Sequence, residues 1–307
     1  MNTEQFGQFA QIFGTRFSQK QKKRFIENLQ PLFRSYGYEM KTYEDRVGLR
    51  KITHVVFGEP SAAEYVFIAG YDTTERILLG NGKYWPLEES RNKAKAFVNL
   101  TLYMLLALAA AVAGIFIIRD GLSYAGWKKI VMIVSGAGFI LLANAISKGM
   151  ANRTTFAKTS SLFLLFELAS ALKNKKNAFI FTDYGAFSRL GLDFPVRNEL
   201  ITPKQTVIYA DCFSDGDRLL IAYGDSARKQ AEKIKEKYKK KAVLQPLSKL
   251  DNHRFTGLDN WIVLANVYKD SDDSLYVANV RTDDDLTLDP EAIDAAVSAI
   301  NEMENGK

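Results

Sequence analysis

Three aspartates stand just after short apolar runs: Asp72 in GYDTT after YVFIA, Asp183 after AFIFT, and Asp211 after TVIYA. With Tyr71 they would make an all-oxygen donor set of the kind Mg²⁺ prefers; the plainer reading is of carboxylates that close strand ends. Zinc hydrolysis asks for more, because it needs imidazole and carboxylate ligands together and a base for the metal-bound water. The 307 residues include two histidines, His54 and His253. His253, in DNHRF, reads as a solitary surface or loop histidine. Thr159, Ser160 and Ser161 offer hydroxyls, but no G-x-S-x-G elbow or histidine partner accompanies them, and they read as a helix start. The single cysteine, Cys212, has no internal disulfide partner, which is compatible with a reducing compartment.

Two charged stretches have other readings. Residues 227–242 (ARKQAEKIKEKYKKKA) form a basic helix, either a solvated face or one attracted to anionic lipid headgroups. Without aromatic interleaving or a recognisable module it is not a nucleic-acid surface. Asp283, Asp284 and Asp285 follow Arg281, in a loop where Asp289 and Pro290 mark the cap and first turn of a closing helix.

The elements that must position these residues alternate along the chain. A composition 47% hydrophobic and 25% charged, with a formal net charge of +6, describes a folded protein. Apolar residues at helical spacing mark 20–36, 160–172 and 292–303, and short buried-type strands occupy 65–69, 178–182, 206–210, 219–222 and 261–265. This pattern predicts an α/β fold, a mostly parallel mixed sheet flanked by helices on both faces, with sites beyond the carboxyl ends of strands.

Residues 97–118 and 130–147 are two charge-free apolar runs joined by RDGLSYAGWKK, which predicts a two-helix transmembrane hairpin. Ala113 and Gly114 in the first run, with Ser135, Gly136, Ala137 and Gly138 in the second, would let the helices approach closely. Lys83, Arg91, Lys93, Lys95, Lys148, Arg153 and Lys158 flank the hairpin, against Arg119, Lys128 and Lys129 in its turn. That bias places the soluble part on the cytoplasmic side of a membrane, expected to be a bacterial plasma membrane. The opening MNTEQFGQFAQIFGTRF lacks the pattern of a cleavable signal peptide. Phe6, Phe9, Phe13 and Phe17 give it an amphipathic face that packs on the domain, lies in the membrane surface or docks on a partner. The expected organisation is an N-terminal segment 1–17, a domain split between 18–95 and 149–307, and the hairpin 96–148.

The order of motifs resembles the di-zinc aminopeptidases of the bacterial leucyl aminopeptidase type, whose fold also appears in glutaminyl cyclases and the transferrin receptor ectodomain. YVFIAGYDTT is similar to that family's strand and G-A-H-Y-D-T loop. SSLFLLFELASALKNKKNAFIFTDYGAFSRLG is similar to its D-N-A-S-G helix followed by the F-D-A-E-E-F-G-L-L-G strand and loop. TVIYADCFSDGDRLLI resembles its I-N-L-D-M segment, DNHRF lies near its D-H pair, and NVRTDDDLTLDPEAIDAAVSAI resembles its H-T-x-x-D and final helix.

Carried over residue by residue, the resemblance implies a disabled metal site. Gly70 stands where the first histidine ligand should be, Ala157 at the bridging aspartate, Gly185 and Ala186 at the paired glutamates, and Arg281 at the closing histidine. Asp72 and Asp211 are retained. No Asp or Glu lies between Asp120 and Glu167, so no shift of the alignment restores the bridge. The expectation is that zinc is lost, with Arg281 pairing with Asp72 or Asp211 in its place, and Tyr71, Asp183, Tyr184 and His253 lining the old cleft. The implied function is a membrane-anchored binding, scaffold or regulatory module for a membrane partner such as a transporter component. The alternative is a divergent membrane-tethered metallo-aminopeptidase or peptide hydrolase. Because the hairpin is inserted between GYDTT and the helix carrying Ala157, the cleft is expected close to the bilayer.

Overall fold

The structure is a computed structural model. It describes residues 14–47, 50–151, 155–172, 176–185, 189–238, 240–251, 253–255 and 257–305. Phe6, Phe9, Phe13 and Ala186 lie outside the described residues. The chain divides into two compact units, one of residues 1–74, 81–90 and 152–307 and one of residues 75–80 and 91–151.

The larger unit opens with α1 (Gln19–Ser35), started by a capping box in which the Ser18 hydroxyl accepts from the Gln21 amide and the Gln21 side chain accepts from the Ser18 amide. Phe25, Leu29 and Phe33, four residues apart, place their side chains on one face and are buried. The chain then forms a hairpin of β1 (Met40–Val47) and β2 (Arg50–Phe57). After β3 (Tyr65–Gly70) come α4 (Phe156–Leu172), β4 (Asn177–Thr182), α5 (Arg189–Arg197), β5 (Thr206–Ala210), β6 (Arg218–Tyr223), α6 (Arg228–Lys237), β7 (Ala242–Pro246), β8 (Trp261–Lys269), β9 (Leu275–Tyr276) and α7 (Pro290–Asn305). The intervening helices α2 (Glu89–Gly121) and α3 (Trp127–Ser147) lie, apart from residues 89–90, in the smaller unit.

The strand order is β1-β2-β4-β3-β5-β8-β6-β7, with β9 beside β8. The centre, β4-β3-β5-β8, is parallel, and β3, β4 and β5 are buried along their whole length, as central strands covered on both faces must be. Their alternation sorts two cores. Phe67, Phe179, Phe181 and Ile208 join Phe25 and Phe33 of α1 and Ile300 of α7 on one face. Val66, Ile68, Ile180 and Val207 join Phe194 of α5 with Phe255 and Leu258 on the other. The sheet is more mixed than the strand-helix alternation suggests: β6 runs antiparallel to β8, and the β1–β2 hairpin adds antiparallel strands at the opposite edge. Polar residues on exposed sides hide β1 from a search for apolar runs. The basic run 227–242 is not one helix; α6 stops at Lys237 and Ala242 opens β7. The closing helix starts as expected, the Ala292 amide donating to Asp289 Oδ1 at 2.9 Å.

The smaller unit is a helical hairpin of α2 (Glu89–Gly121) and α3 (Trp127–Ser147), both long and apolar enough to cross a membrane. Only 17% and 11% of their apolar windows are buried, and Phe97, Leu105, Leu108, Ile115 and Leu141 are more than half exposed. A helix apolar all round and left bare suits lipid rather than water. Glycines set the approach: a Cβ at Gly114 would meet the Gly136 carbonyl at 2.7 Å, and one at Gly136 would meet Ile118 at 2.5 Å. The antiparallel register that joins Gly114 to Gly136 also brings Ala107 opposite Ala143, seven residues away on each helix, and both alanines are buried. Gly138, expected in the same contact, faces open space. At the base, Asn99 accepts from the Leu78 amide at 2.9 Å and donates to the Arg76 carbonyl at 3.0 Å, which also accepts from Tyr103 Oη at 3.0 Å.

Candidate functional site

Adjacent parallel strands β4, β3 and β5 bring Asp183, Asp72 and Asp211 to one edge of the sheet, in the register Thr182–Gly70 and Ala69–Ala210. Asp211 is fully buried. Its Oδ1 is met by the ammonium of Lys158, the third residue of α4, and its Oδ2 by Arg254 Nη2 at 2.8 Å and Tyr84 Oη at 2.7 Å. The Arg254 guanidinium lies 5.0 Å from the ring centroids of both Tyr209 and Phe255, and its Nη1 donates to the Gly185 carbonyl at 3.2 Å. Tyr209 Oη donates to the same carbonyl at 2.7 Å. Burial alone would raise the Asp211 carboxyl, but Lys158 and Arg254 overcome it and hold it below its ordinary range. Burial pulls Lys158 the other way, yet Asp211 keeps its ammonium above the ordinary value. Cys212 beside them is inert, its thiol pushed well up by burial.

Asp72 accepts from the Gly185 amide at 3.0 Å. Asp183 takes Lys22 Nζ at 2.5 Å and the Tyr184 amide at 2.9 Å on the same oxygen. Burial, then the charge of Asp72, raises its carboxyl. Tyr71 Oη donates to the Thr53 carbonyl at 2.8 Å, and its backbone carbonyl accepts from buried Arg16. Among the described residues the buried Asp, Glu, Lys and Arg side chains number four of each sign: Arg16, Lys22, Lys158 and Arg254 against Asp72, Asp183, Asp211 and Asp285. At this edge Lys158 and Arg254 offset Asp211, and Lys22 offsets Asp183.

The donor set does not fit zinc. Among the described residues no three His, Cys, Asp or Glu side chains gather as a metal cage would need. Both oxygens of Asp211 are engaged, and the backbone around Gly185 and Gly191 is closely packed. A Cβ on Gly185 would stand 2.0 Å from Thr182 Oγ1 and 2.9 Å from Gly70 Cα, and one on Gly191 would stand 2.4 Å from Gly185 Cα. Ala157 is buried, its amide donating to Asp285 Oδ1 at 2.7 Å.

The cations on Asp211 are Lys158 and Arg254, neither of which the motif comparison picks out. Arg281 enters through its backbone, whose amide donates to Asp285 Oδ2 at 3.4 Å from a left-handed conformation of φ +69°. Asp285 is the member of the acidic triplet that is drawn inward, and burial pushes its carboxyl up to about 7. His253 is buried rather than at the surface, its Nδ1 accepting from the Phe255 amide at 3.2 Å. It lines a cavity of about 430 Å³ with Asp225, Leu247, Ser248 and Asp259. Tyr184 is half-buried, its ring 5.2 Å from Lys22 Nζ. The hydroxyls at 159–161 lie inside α4 instead of capping it: Ser160 Oγ donates to the Ala157 carbonyl at 2.7 Å and accepts from the Phe213 amide at 2.8 Å, while Ser161 Oγ donates to the Lys158 carbonyl at 2.8 Å. Thr159 accepts from Arg16. One signal for Lys158 was available, a lone basic residue at the head of a mostly apolar helix.

No family model matches the chain, and no curated protein matches it. Among solved structures, glutaminyl cyclase from Porphyromonas gingivalis is similar at 12% identity and a TM-score of 0.57, over 98% of this chain and 95% of that one. Glutaminyl cyclase from Bacteroides thetaiotaomicron, bound to N-acetylhistamine, gives 12% and 0.56 over 98% and 95%. A leucine aminopeptidase precursor from B. thetaiotaomicron gives 11% and 0.56 over 98% and 94%. At such identity the likeness establishes the architecture: the chain has the sheet-and-helix fold of these glutaminyl cyclases and this aminopeptidase.

Proposed function

We propose that this protein is a membrane-anchored, non-catalytic form of the aminopeptidase fold, a degenerate member whose soluble part faces the cytoplasm. In this reading it binds a membrane partner, such as a transporter component, as a scaffold or regulator. The observation that supports it is Asp211, whose two oxygens are taken up by Lys158, Arg254 and Tyr84. A side-chain ammonium and a guanidinium supply the positive charge that metal ions supply in a hydrolytic site, and neither can polarise and deprotonate a bound water as zinc does. The apolar hairpin supplies the anchor.

The test is metal analysis of the purified full-length chain, with assays of aminopeptidase and glutaminyl cyclase turnover and co-purification from membranes. The expected result is substoichiometric zinc, no turnover, and a retained membrane protein. Stoichiometric tightly bound zinc with turnover abolished by Asp211→Asn would overturn the reading. The competing hydrolase reading rests on the two buried carboxylates Asp72 and Asp183, close enough for one to raise the other. It requires that substitution of either abolish a measurable peptidase activity.

A further inference from the structure

Residues 228–241 hold eight of the 41 Lys and Arg residues and two of the 35 Asp and Glu residues. That leaves 33 of each sign elsewhere, so the formal net charge of +6 resides in these fourteen residues. Helix α6 turns the charge outward. Ala231 and Ile234 are buried in the core of the larger unit, while Lys229, Lys233 and Lys235 are exposed and make no ion pair among the described residues. Nearby Arg228 pairs with Glu232 at 2.9 Å and Lys240 with Glu291 at 2.9 Å, both at the surface. The outward face of α6 carries no large apolar side chain, so a partner there would be recognised by charge and not by burial. Sequence-specific nucleic-acid readout and single-strand stacking both ask for features this face lacks.

We propose that α6 and the lysines following it dock on the anionic headgroups of the bilayer that holds the hairpin. The proposal rests on the membrane-anchored reading. Because the hairpin and α6 share one chain, the bilayer is present at high effective concentration, and each lysine at an anionic surface adds an attraction that sums over the cluster. Docking would fix the orientation of the soluble unit against the bilayer.

The experiment uses the full chain in nanodiscs of phosphatidylcholine alone or mixed with phosphatidylglycerol. Acetylation rates of individual lysines are followed by mass spectrometry. Lys229, Lys233 and Lys235 are expected to react about tenfold more slowly in the anionic discs at low salt, with the difference removed by high salt. Lys23 and Lys51, exposed on other elements, are expected to react equally in both. In a Lys229→Gln/Lys233→Gln/Lys235→Gln variant the protection of Lys237 should fall as well. Co-flotation with the discs but equal rates in both lipids would overturn the docking alone. Failure to co-float with neutral discs would overturn the anchoring and the docking together.

Discussion

Asp211 keeps its charge because two cations are buried with it, and each member of that group makes the others affordable. Asp211→Asn would leave Lys158 and Arg254 facing each other in a dry site, and breaking a buried pair this way costs about 3–5 kcal/mol. Lys158→Met is expected to cost less, because Arg254 and Tyr84 remain on the carboxylate. The Asp211→Asn/Lys158→Met double variant should be more stable than the sum of the single effects predicts. Denaturant unfolding of the three variants in detergent measures this; strictly additive costs would show that the two side chains do not interact. A second prediction concerns pH. His54 is buried face to face with Phe194 at 3.8 Å, and burial pushes it down to about 4. Its contribution is therefore present in full above its unfolded value near 6.5 and is lost as pH falls through 4. Asp285 has the opposite sign: raised to about 7, it contributes most below its unfolded value near 3.8 and loses that contribution as pH rises through 7. The two slopes oppose each other between about pH 4 and 6.5. Relative to the parent, His54→Phe should tilt the stability profile toward acid and Asp285→Asn toward neutral pH, by roughly 3 kcal/mol across the window. Unfolding midpoints at pH 4.5 and 6.5 check the signs. At this edge the motif comparison points to Asp211 but not to the cations that hold it. Lys158 follows Ala157 and Arg254 follows His253, so each compensating charge sits one residue away from a position the comparison singles out. Long basic side chains span that offset, and a search position by position does not see them.

At the scale of elements, the apolar strands and the helical hairpin were legible because both are written as unbroken apolar runs. The β1–β2 hairpin and β7 were not: edge strand β1 wears polar residues on its open side, β2 mixes Arg50, Lys51, Thr53 and His54 with its apolar residues, and edge strand β7 is only five residues long. Close helix packing was legible in kind but not in place. Gly136 and Gly138 look alike in the sequence, yet one is pressed against the Gly114 carbonyl and the other has nothing within 4 Å. Gly136→Leu is therefore expected to part α2 from α3, whereas Gly138→Leu should leave the hairpin intact. Cysteines introduced as Ala107→Cys and Ala143→Cys report the difference: oxidative crosslinking should form in the parent background, persist with Gly138→Leu and be lost with Gly136→Leu. Equal crosslinking in both glycine variants would count against the register.

For the whole molecule, the path of the chain decides how the two units can be separated. It enters the smaller unit at 75–80, returns to the larger one for 81–90, and leaves again for 91–151. The returning segment carries Tyr84, whose amide and carbonyl pair with Val277 at 2.9 and 2.8 Å and whose hydroxyl reaches Asp211. The expected split at 95/96 keeps 81–90 with the larger unit, although this segment is short and forms no strand. The segment nevertheless belongs to the charge cluster. Replacing 91–151 with a flexible glycine–serine linker should give a water-soluble monomer that retains a cooperative unfolding transition. Replacing 75–151 removes Tyr84 along with the hairpin, leaves Asp211 Oδ2 with one donor fewer, and should lower stability by about 1–3 kcal/mol relative to the shorter deletion. Size-exclusion chromatography and denaturant titration of the two deletions make the comparison, and a Tyr84→Phe substitution in the shorter one should reproduce much of the loss. Equal stability of the two deletions would mean that 81–90 is only a connector between the two parts of the smaller unit and no part of the fold that surrounds Asp211.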